Sequence, residues 1–207
     1  MKTKIIKSND LYYAVDVLLS GGIVGLPGDT VYGLAVNGLD GAAVSRVYKL
    51  KGQPEVKPVS LLVPDLNVAA TVCAGIPRSA RLLAEEFWPG PLTMVLPRRD
   101  TVPYIVTAGS YTVGISCPGN PKTQNLLRLA GIPIFALTAS LTDTHLPKSA
   151  EEVLKNFDWK INCVIDGGRC TNDAEPTVVS LTTEPYKILH QGTISEDRIR
   201  QVLTSTP

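Results

Sequence analysis

Between Gly21 and Ser60 the chain gathers residue types that bind anions. Pro27-Gly28-Asp29-Thr30 lies where one short apolar run must turn sharply into the next, and Thr30 places a hydroxyl at the mouth of that turn. From Val44 to Ser60, Arg46, Lys49, Lys51 and Lys57 stand against Glu55 alone, a local excess of three positive charges. Gly52 and Pro54 break a helix there, so Lys51 and Lys57 are expected on a loop between a helix and a strand. Cations on such a loop, facing a glycine turn, can hold phosphates by charge-assisted hydrogen bonds. The plainer alternative is a tight connection capped by Thr30 beside solvated lysines, and residue types alone leave both open. Neither standard phosphate motif is present. No G-x-x-x-x-G-K-[ST] occurs, and Gly25, Gly28 and Gly33 have the wrong spacing for a dinucleotide fingerprint.

Other candidate chemistry is sparser. Asp29, Asp166 and Asp173 carry metal-ligating oxygens, but scattered aspartates at turns usually form the turns. Cys73, Cys117, Cys163 and Cys170 form no C-x-x-C pair, and His145 and His190 sit far apart, which leaves a zinc site without its usual spacing. The cysteines read as buried, reduced thiols. No G-x-S-x-G elbow supports a serine nucleophile. Trp88-Pro89-Gly90-Pro91 reads as a rigid corner.

The elements that must position these residues alternate from end to end. Ser8-Asn9-Asp10 offers caps for a helix over Leu11–Leu19, and Gly21-Gly22 ends it. Strands are expected over 23–26, 30–36, 59–63, 92–96, 112–117, 132–137, 163–165, 177–181 and 186–189, the last two as a closing pair. Helices are expected over 40–51, 66–73, 77–87, 121–130 and 149–156, with a last one capped by Ser195 and ending near Leu203. Strands alternating with amphipathic helices predict an α/β fold, one domain over 1–207 with a large twisted mixed β-sheet flanked by helices.

Composition agrees with that architecture. A chain of 207 residues buries roughly 70% of its unfolded surface, so it needs no staples. Twenty Lys+Arg against nineteen Asp+Glu give a net charge of +1, which argues against a general nucleic-acid coat. No run approaches about 18 apolar residues, so no membrane helix is expected. MKTKIIKSND lacks the apolar segment of a secretory signal, and the cytoplasm is the expected compartment.

The segments GGIVGLPGDTVYGLAVN, YKLKGQPEVKPVSLLV, FWPGPLTMVL, VGISCPGNP, LTAS, VIDGG and PTVVSLT, in that order, resemble the YrdC-type threonylcarbamoyl-AMP synthases, over about residues 9–192. The resemblance implies a YrdC-like α/β domain with a positively charged concave cavity. It also implies an activity that joins L-threonine, bicarbonate and ATP into threonylcarbamoyl-AMP, releasing pyrophosphate with Mg²⁺ assisting. That product feeds threonylcarbamoyladenosine formation in tRNA, so tRNA or tRNA-modification proteins are implied partners. Thr30 matches the turn that contacts threonine. Lys51 and Lys57 match the K-x-R-x-x-x-K-P motif that handles phosphates, and Ser60 follows it. Thr112 matches a nucleotide contact, and Thr138 keeps the first hydroxyl of Ser-Ala-Asn.

Other matching positions have changed. Gln53, Ser116 and His190 stand where the family has arginines, and Gly28 replaces the first threonine of the turn. Ser140 replaces the asparagine of Ser-Ala-Asn, and Pro176 the serine of Ser-Thr-Val-Val. All six are expected to line the cavity. A hydrogen bond to a charged group contributes roughly 1.5–3 kcal/mol, so losing even part of three arginines weakens polyphosphate binding. The resemblance also extends to paralogues without proven synthase activity. The alternative reading is therefore a paralogue that binds a nucleotide, small ligand or RNA in the same cavity, or that runs a different carbamoyl or adenylate reaction.

Overall fold

Local signals start and stop the helices. Asp40 caps one by accepting from the amides of Ala42 and Ala43, and Gly52 ends it at φ 64°, a conformation open to glycine. Asn120 does the same for Lys122 and Thr123, with Pro121 at the first helical position. The computed structural model describes residues 2–7, 10–53, 57–142, 146–171 and 175–204. Ser8 and Asn9 of the first cap, Pro54, Glu55, His145 and Asp173 lie outside the described residues.

In chain order the first half holds β1 (Lys4–Ile6), α1 (Leu11–Leu19), β2 (Val24–Pro27), β3 (Tyr32–Asn37), α2 (Gly41–Lys51), β4 (Leu61–Leu62), α3 (Leu66–Ala69), α4 (Arg78–Phe87) and β5 (Leu92–Pro97). There follow α5 (Tyr104–Thr107), β6 (Thr112–Ser116), α6 (Pro121–Ala130), β7 (Ile134–Thr138), α7 (Ala150–Phe157), β8 (Cys163–Ile165), β9 (Thr177–Ser180), β10 (Lys187–His190) and α8 (Glu196–Thr204). The strands form one mixed ten-stranded sheet in the order β1-β8-β2-β3-β7-β4-β6-β5-β9-β10. This is the expected α/β fold. Two short elements go beyond expectation: β1 at the sheet edge and the one-turn α5. The strand expected over 59–63 is shortened to Leu61–Leu62.

Because side chains alternate along a strand, pairing register sorts the sheet into two faces. One face carries Leu34, Phe135, Leu61, Ile115, Met94 and Val179, all fully buried in the main core. The other is covered over only part of its width. There α1 and α6 pack on Val24, Leu26, Ala35 and Ile134 in a second core. Farther across that face, Gly33 pairs with Thr138, Leu62 with Ser116, and Ser116 with Thr93. Small or hydroxylated residues on four of these five strands, with Leu62 on the fifth, leave that face low, and a cavity opens over them.

Candidate functional site

The cavity holds about 570 Å³ and is floored by Gly33, Ala136, Thr138, Leu62, Ser116 and Thr93. Its wall is the turn that joins β2 to β3, and that turn is held from three directions. Within it, the Gly28 amide donates to Val31 O at 3.0 Å. From α6, the Thr123 hydroxyl donates to Pro27 O, and Asn120 Nδ2 donates to Gly28 O at 3.2 Å. From the loop after β8, the Cys170 thiol donates to Gly28 O at 3.3 Å. The Gly119 amide donates to Asp29 Oδ2 at 2.9 Å. Carbonyls that a tight turn would leave unpaired are thereby satisfied, which fixes the backbone that carries Thr30.

Tyr32 supports the same corner from below. Its hydroxyl donates to Gly168 O at 2.8 Å and accepts from Gly167 N at 2.9 Å. Burial pushes its pKa up to about 12, against a smaller lowering by the Gly167 amide.

The candidate residues divide by position. Gly28, Thr30, Ser116, Thr138 and Pro176 line the cavity. Lys51 was expected on a loop; instead it is the last residue of α2 and is buried, because its Nζ donates to the carbonyls of Thr138 and Ser140, each at 2.5 Å. Ser140 is buried, and its hydroxyl bonds the backbone of Thr142. Ser60 and Thr112 share the open face farther along: a Cβ on Gly114 would fall 2.5 Å from Ser60 Oγ, and Thr112 Oγ1 meets Ser110 Oγ at 2.9 Å. Thr112 lies four residues from Ser116 along β6, about 13 Å at strand rise. An elongated ligand would be needed to touch both.

Lys57 and Gln53 are exposed and outside the cavity lining. His190 is on the edge strand β10, 53% exposed, with Nε2 3.3 Å from Glu175 Oε2. Of the three positions where the family has arginine, the structure therefore brings Ser116 alone into the lining.

Sequence reasoning missed Thr93, Asn120, Thr123 and Arg169. The first pairs with Ser116 from β5, the next two anchor the turn, and Arg169 enters from the loop after β8. Asp166 shapes that loop, accepting from Gly168 N at 3.1 Å. Among the described residues no group of three or more His, Cys, Asp and Glu side chains converges as a metal site. Asp29 is the one carboxylate in the described lining, which fits Mg²⁺ arriving on phosphate oxygens and keeping most of its water. All four cysteines are buried and free of disulfides. Among the described residues no helix is long and apolar enough to cross a membrane.

A mixed sheet with one packed face and one partly open face, a hydroxyl-bearing turn and a lysine tied to the end of β7 define an α/β domain with a cavity over the open face of its sheet. Residues 16–192 match the Sua5_yciO_yrdC family model, described as telomere recombination, and the chain belongs to that family. It is 36% identical over 190 residues to the threonylcarbamoyl-AMP synthase of Pyrococcus abyssi, covering 92% of this chain and 56% of that protein. To the Bacillus subtilis threonylcarbamoyl-AMP synthase it is 33% identical over 204 residues, 97% of this chain and 59% of the relative. The chain thus spans a little over half the length of these curated relatives. The structure of P. abyssi Sua5 complexed with L-threonine superposes with a TM-score of 0.88 at 35% identity, over 98% of this chain and 61% of that one. E. coli YciO shares the fold, with a TM-score of 0.79 at 23% identity over 95% of this chain and 99% of that one.

Proposed function

We propose that this chain is a threonylcarbamoyl-AMP synthase domain, acting on L-threonine, bicarbonate and ATP in the cytoplasm and supplying tRNA modification. One observation carries the reading: a 570 Å³ cavity walled by the Thr30 turn, in a chain that superposes on a threonine-bound Sua5 at 35% identity. In this reading Thr30 orients the amino acid. The threonine nitrogen forms a carbamate with bicarbonate, releasing water. A carbamate oxygen then bonds the α-phosphorus of ATP, and the bond to the β-phosphate oxygen breaks with its electron pair leaving on pyrophosphate. Lys51 and Lys57 supply positive charge to the phosphates, with Mg²⁺ carried in by the ATP. Ser60, Thr112 and Thr138, placed along one sheet face, suit the remainder of the nucleotide. Positioning and electrostatics do the catalysis in this scheme, without a dedicated base.

The test is direct. Incubation with L-threonine, bicarbonate and MgATP should release pyrophosphate only when all three are present, with threonylcarbamoyl-AMP as the co-product. A second reading rests on Ser116, a neutral hydroxyl in the cavity lining at a position where the family resemblance implies an arginine. In that reading the domain binds its ligands without turnover. Saturable binding of ATP and threonine with no pyrophosphate would favour it.

A further inference from the structure

A second cavity, of about 460 Å³, shares none of its described lining residues with the first. Its place follows from the topology. β4 and β6 are neighbouring parallel strands, and the chain leaves them toward opposite faces of the sheet. After β4 it runs to α4, whose Ala80, Leu83 and Ala84 belong to the main core. After β6 it runs to α6, whose Leu126 and Leu127 belong to the second core. Where connections from adjacent parallel strands part in this way, a crevice opens beyond the carboxyl ends of the strands, and open α/β sheets bind ligands there. The second cavity is that crevice. Pro64 lies just beyond β4, Cys117 just beyond β6, Trp88 at the end of α4, and Arg128 reaches in from α6.

Its floor is apolar and fixed. The Trp88 indole N–H donates to Leu92 O at 2.9 Å, and the buried Cys117 thiol donates to Pro64 O at 3.3 Å, joining the two strand ends. The charges stand at the rim, where Asp65, Arg81, Glu85 and Arg128 are exposed. They act on the floor from both signs: the Cys117 thiol, raised mainly by burial, is pulled down by Arg128 and pushed up by Asp65. Asp65 is partly committed already, since its Oδ1 accepts from the amides of Asn67 and Val68 at the start of α3. Neither guanidinium enters an ion pair among the described residues, so both keep their planar donors for a ligand. A flat apolar body with one anionic group matches this floor and rim. A chain of phosphates would also meet Asp65 and Glu85, which select against it. We propose that this crevice is a second ligand site, taking a planar aromatic ring that carries a single carboxylate or monophosphate. The ring lies against Trp88 and the anion on Arg81 and Arg128. The assignment is independent of what enters the first cavity.

Fluorescence tests the site in the full chain, because Trp159→Phe leaves Trp88 as its one tryptophan. The probes are 4-nitrobenzoate, its neutral counterpart 4-nitrobenzamide, and AMP. At least one of the two anions should quench Trp88 saturably, and 4-nitrobenzamide should bind at least tenfold more weakly than that anion. Combining Arg81→Met with Arg128→Met should weaken the anion at least tenfold and erase its advantage over the amide. Arg81→Lys with Arg128→Lys should restore part of the loss. Both arginines are exposed, so these variants should melt with the parent. Saturating MgATP should leave the anion's affinity within about twofold. Tighter 4-nitrobenzoate supports a carboxylate ligand and tighter AMP a nucleoside monophosphate, and either upholds the site. A parent that binds neither anion overturns it, as does an unchanged affinity in the double methionine variant. Displacement by MgATP overturns it too, by putting the probe in the first cavity.

Discussion

The Lys51 ammonium donates to the carbonyls of both Thr138 and Ser140 at 2.5 Å, tying the last turn of α2 to the end of β7 across 87 residues of sequence. A lysine so placed is part of the structure as well as of the charge field. Lys51→Met removes the ammonium from the buried Ser140 carbonyl, while the Thr138 carbonyl keeps the Ser140 amide; the cost of about 2 kcal/mol should lower the melting temperature by roughly 4–8 °C in a chain this long. Lys57 is exposed, so Lys57→Ala should leave the melting curve in place and weaken MgATP by about tenfold. Thermal melts beside ATP titrations of the two variants separate these roles. Equal melting temperatures would contradict the buried anchoring of Lys51.

Thr30 lines the cavity on a turn whose backbone is fixed by Thr123, Asn120 and Cys170. Thr30→Val keeps the shape and removes the hydrogen bond. Its expected effect is a several-fold rise in the dissociation constant for L-threonine, in line with about 1 kcal/mol for one neutral hydrogen bond. Calorimetry that finds no rise would reduce Thr30 to a turn residue.

Gly28 sits where the family resemblance implies threonine, and the turn leaves no room there for a side chain. A Cβ at Gly28 would lie 2.3 Å from Val31 O, a backbone atom that cannot step aside cheaply. Gly28→Thr should therefore destabilise by about 1–3 kcal/mol rather than restore a family contact. Denaturant titration reads this directly, and a variant as stable as the parent would mean that the turn adapts.

The family resemblance implies arginine at both Ser116 and His190, yet the two sit in different places. Ser116→Arg puts a guanidinium into the cavity and should tighten MgATP about tenfold or more. Its salt dependence should steepen as well. His190→Arg extends from the edge strand beside Glu175 and should leave MgATP affinity unchanged. If the two variants behave alike, the position of β10 relative to the ligand needs revision.

Alkaline pH should weaken the fold. Burial raises the Cys73 pKa to about 11 and that of Cys163 to about 12, from an ordinary value of 9.0. Tyr32 rises from 10.0 to about 12 for the same reason. Between the ordinary and raised values the native chain keeps protons that the unfolded chain has released. The contribution is intact below pH 9 and falls as pH rises toward 12, by about 1.4 kcal/mol per pH unit for each group once its unfolded form has ionised. Thermal melts from pH 8 to 11 should show the decline, and Cys163→Ala should flatten it. A curve level across that range would mean that these groups are not shielded.

Much of the fold was legible because it is written locally. Asp40 and Gly52 bracket α2, Asn120-Pro121 opens α6, and Cys163–Ile165 is bounded by turn residues. What escaped was encoded elsewhere. Lys4–Ile6 becomes a strand by pairing in parallel with β8, residues 163–165, and nothing in its own pattern announces that partner. Tyr104–Thr107 is a single turn, too short to show a period. At the site, Thr30 and Lys51 could be picked out by type and spacing. Arg169 resembled any solvated loop arginine, since what brings it to the cavity is the pairing of β8 with β2 and the glycine that lets the next loop approach Pro27. His190 was placed by motif order, which says nothing about how far an edge strand lies from a central one.

The two faces of the sheet divide the molecule's obligations by odd and even position. Along β6, Val113 and Ile115 answer to folding, whereas Thr112, Gly114 and Ser116 are half-buried on the open face. A change such as arginine to serine at position 116 can therefore alter what the cavity holds while leaving the core it rests on intact. The same scaffold can be carried into new chemistry one alternate residue at a time. A screen that randomised only the open-face positions would be expected to return mostly folded proteins with diverse ligand preferences, and one restricted to their immediate neighbours mostly unfolded chains.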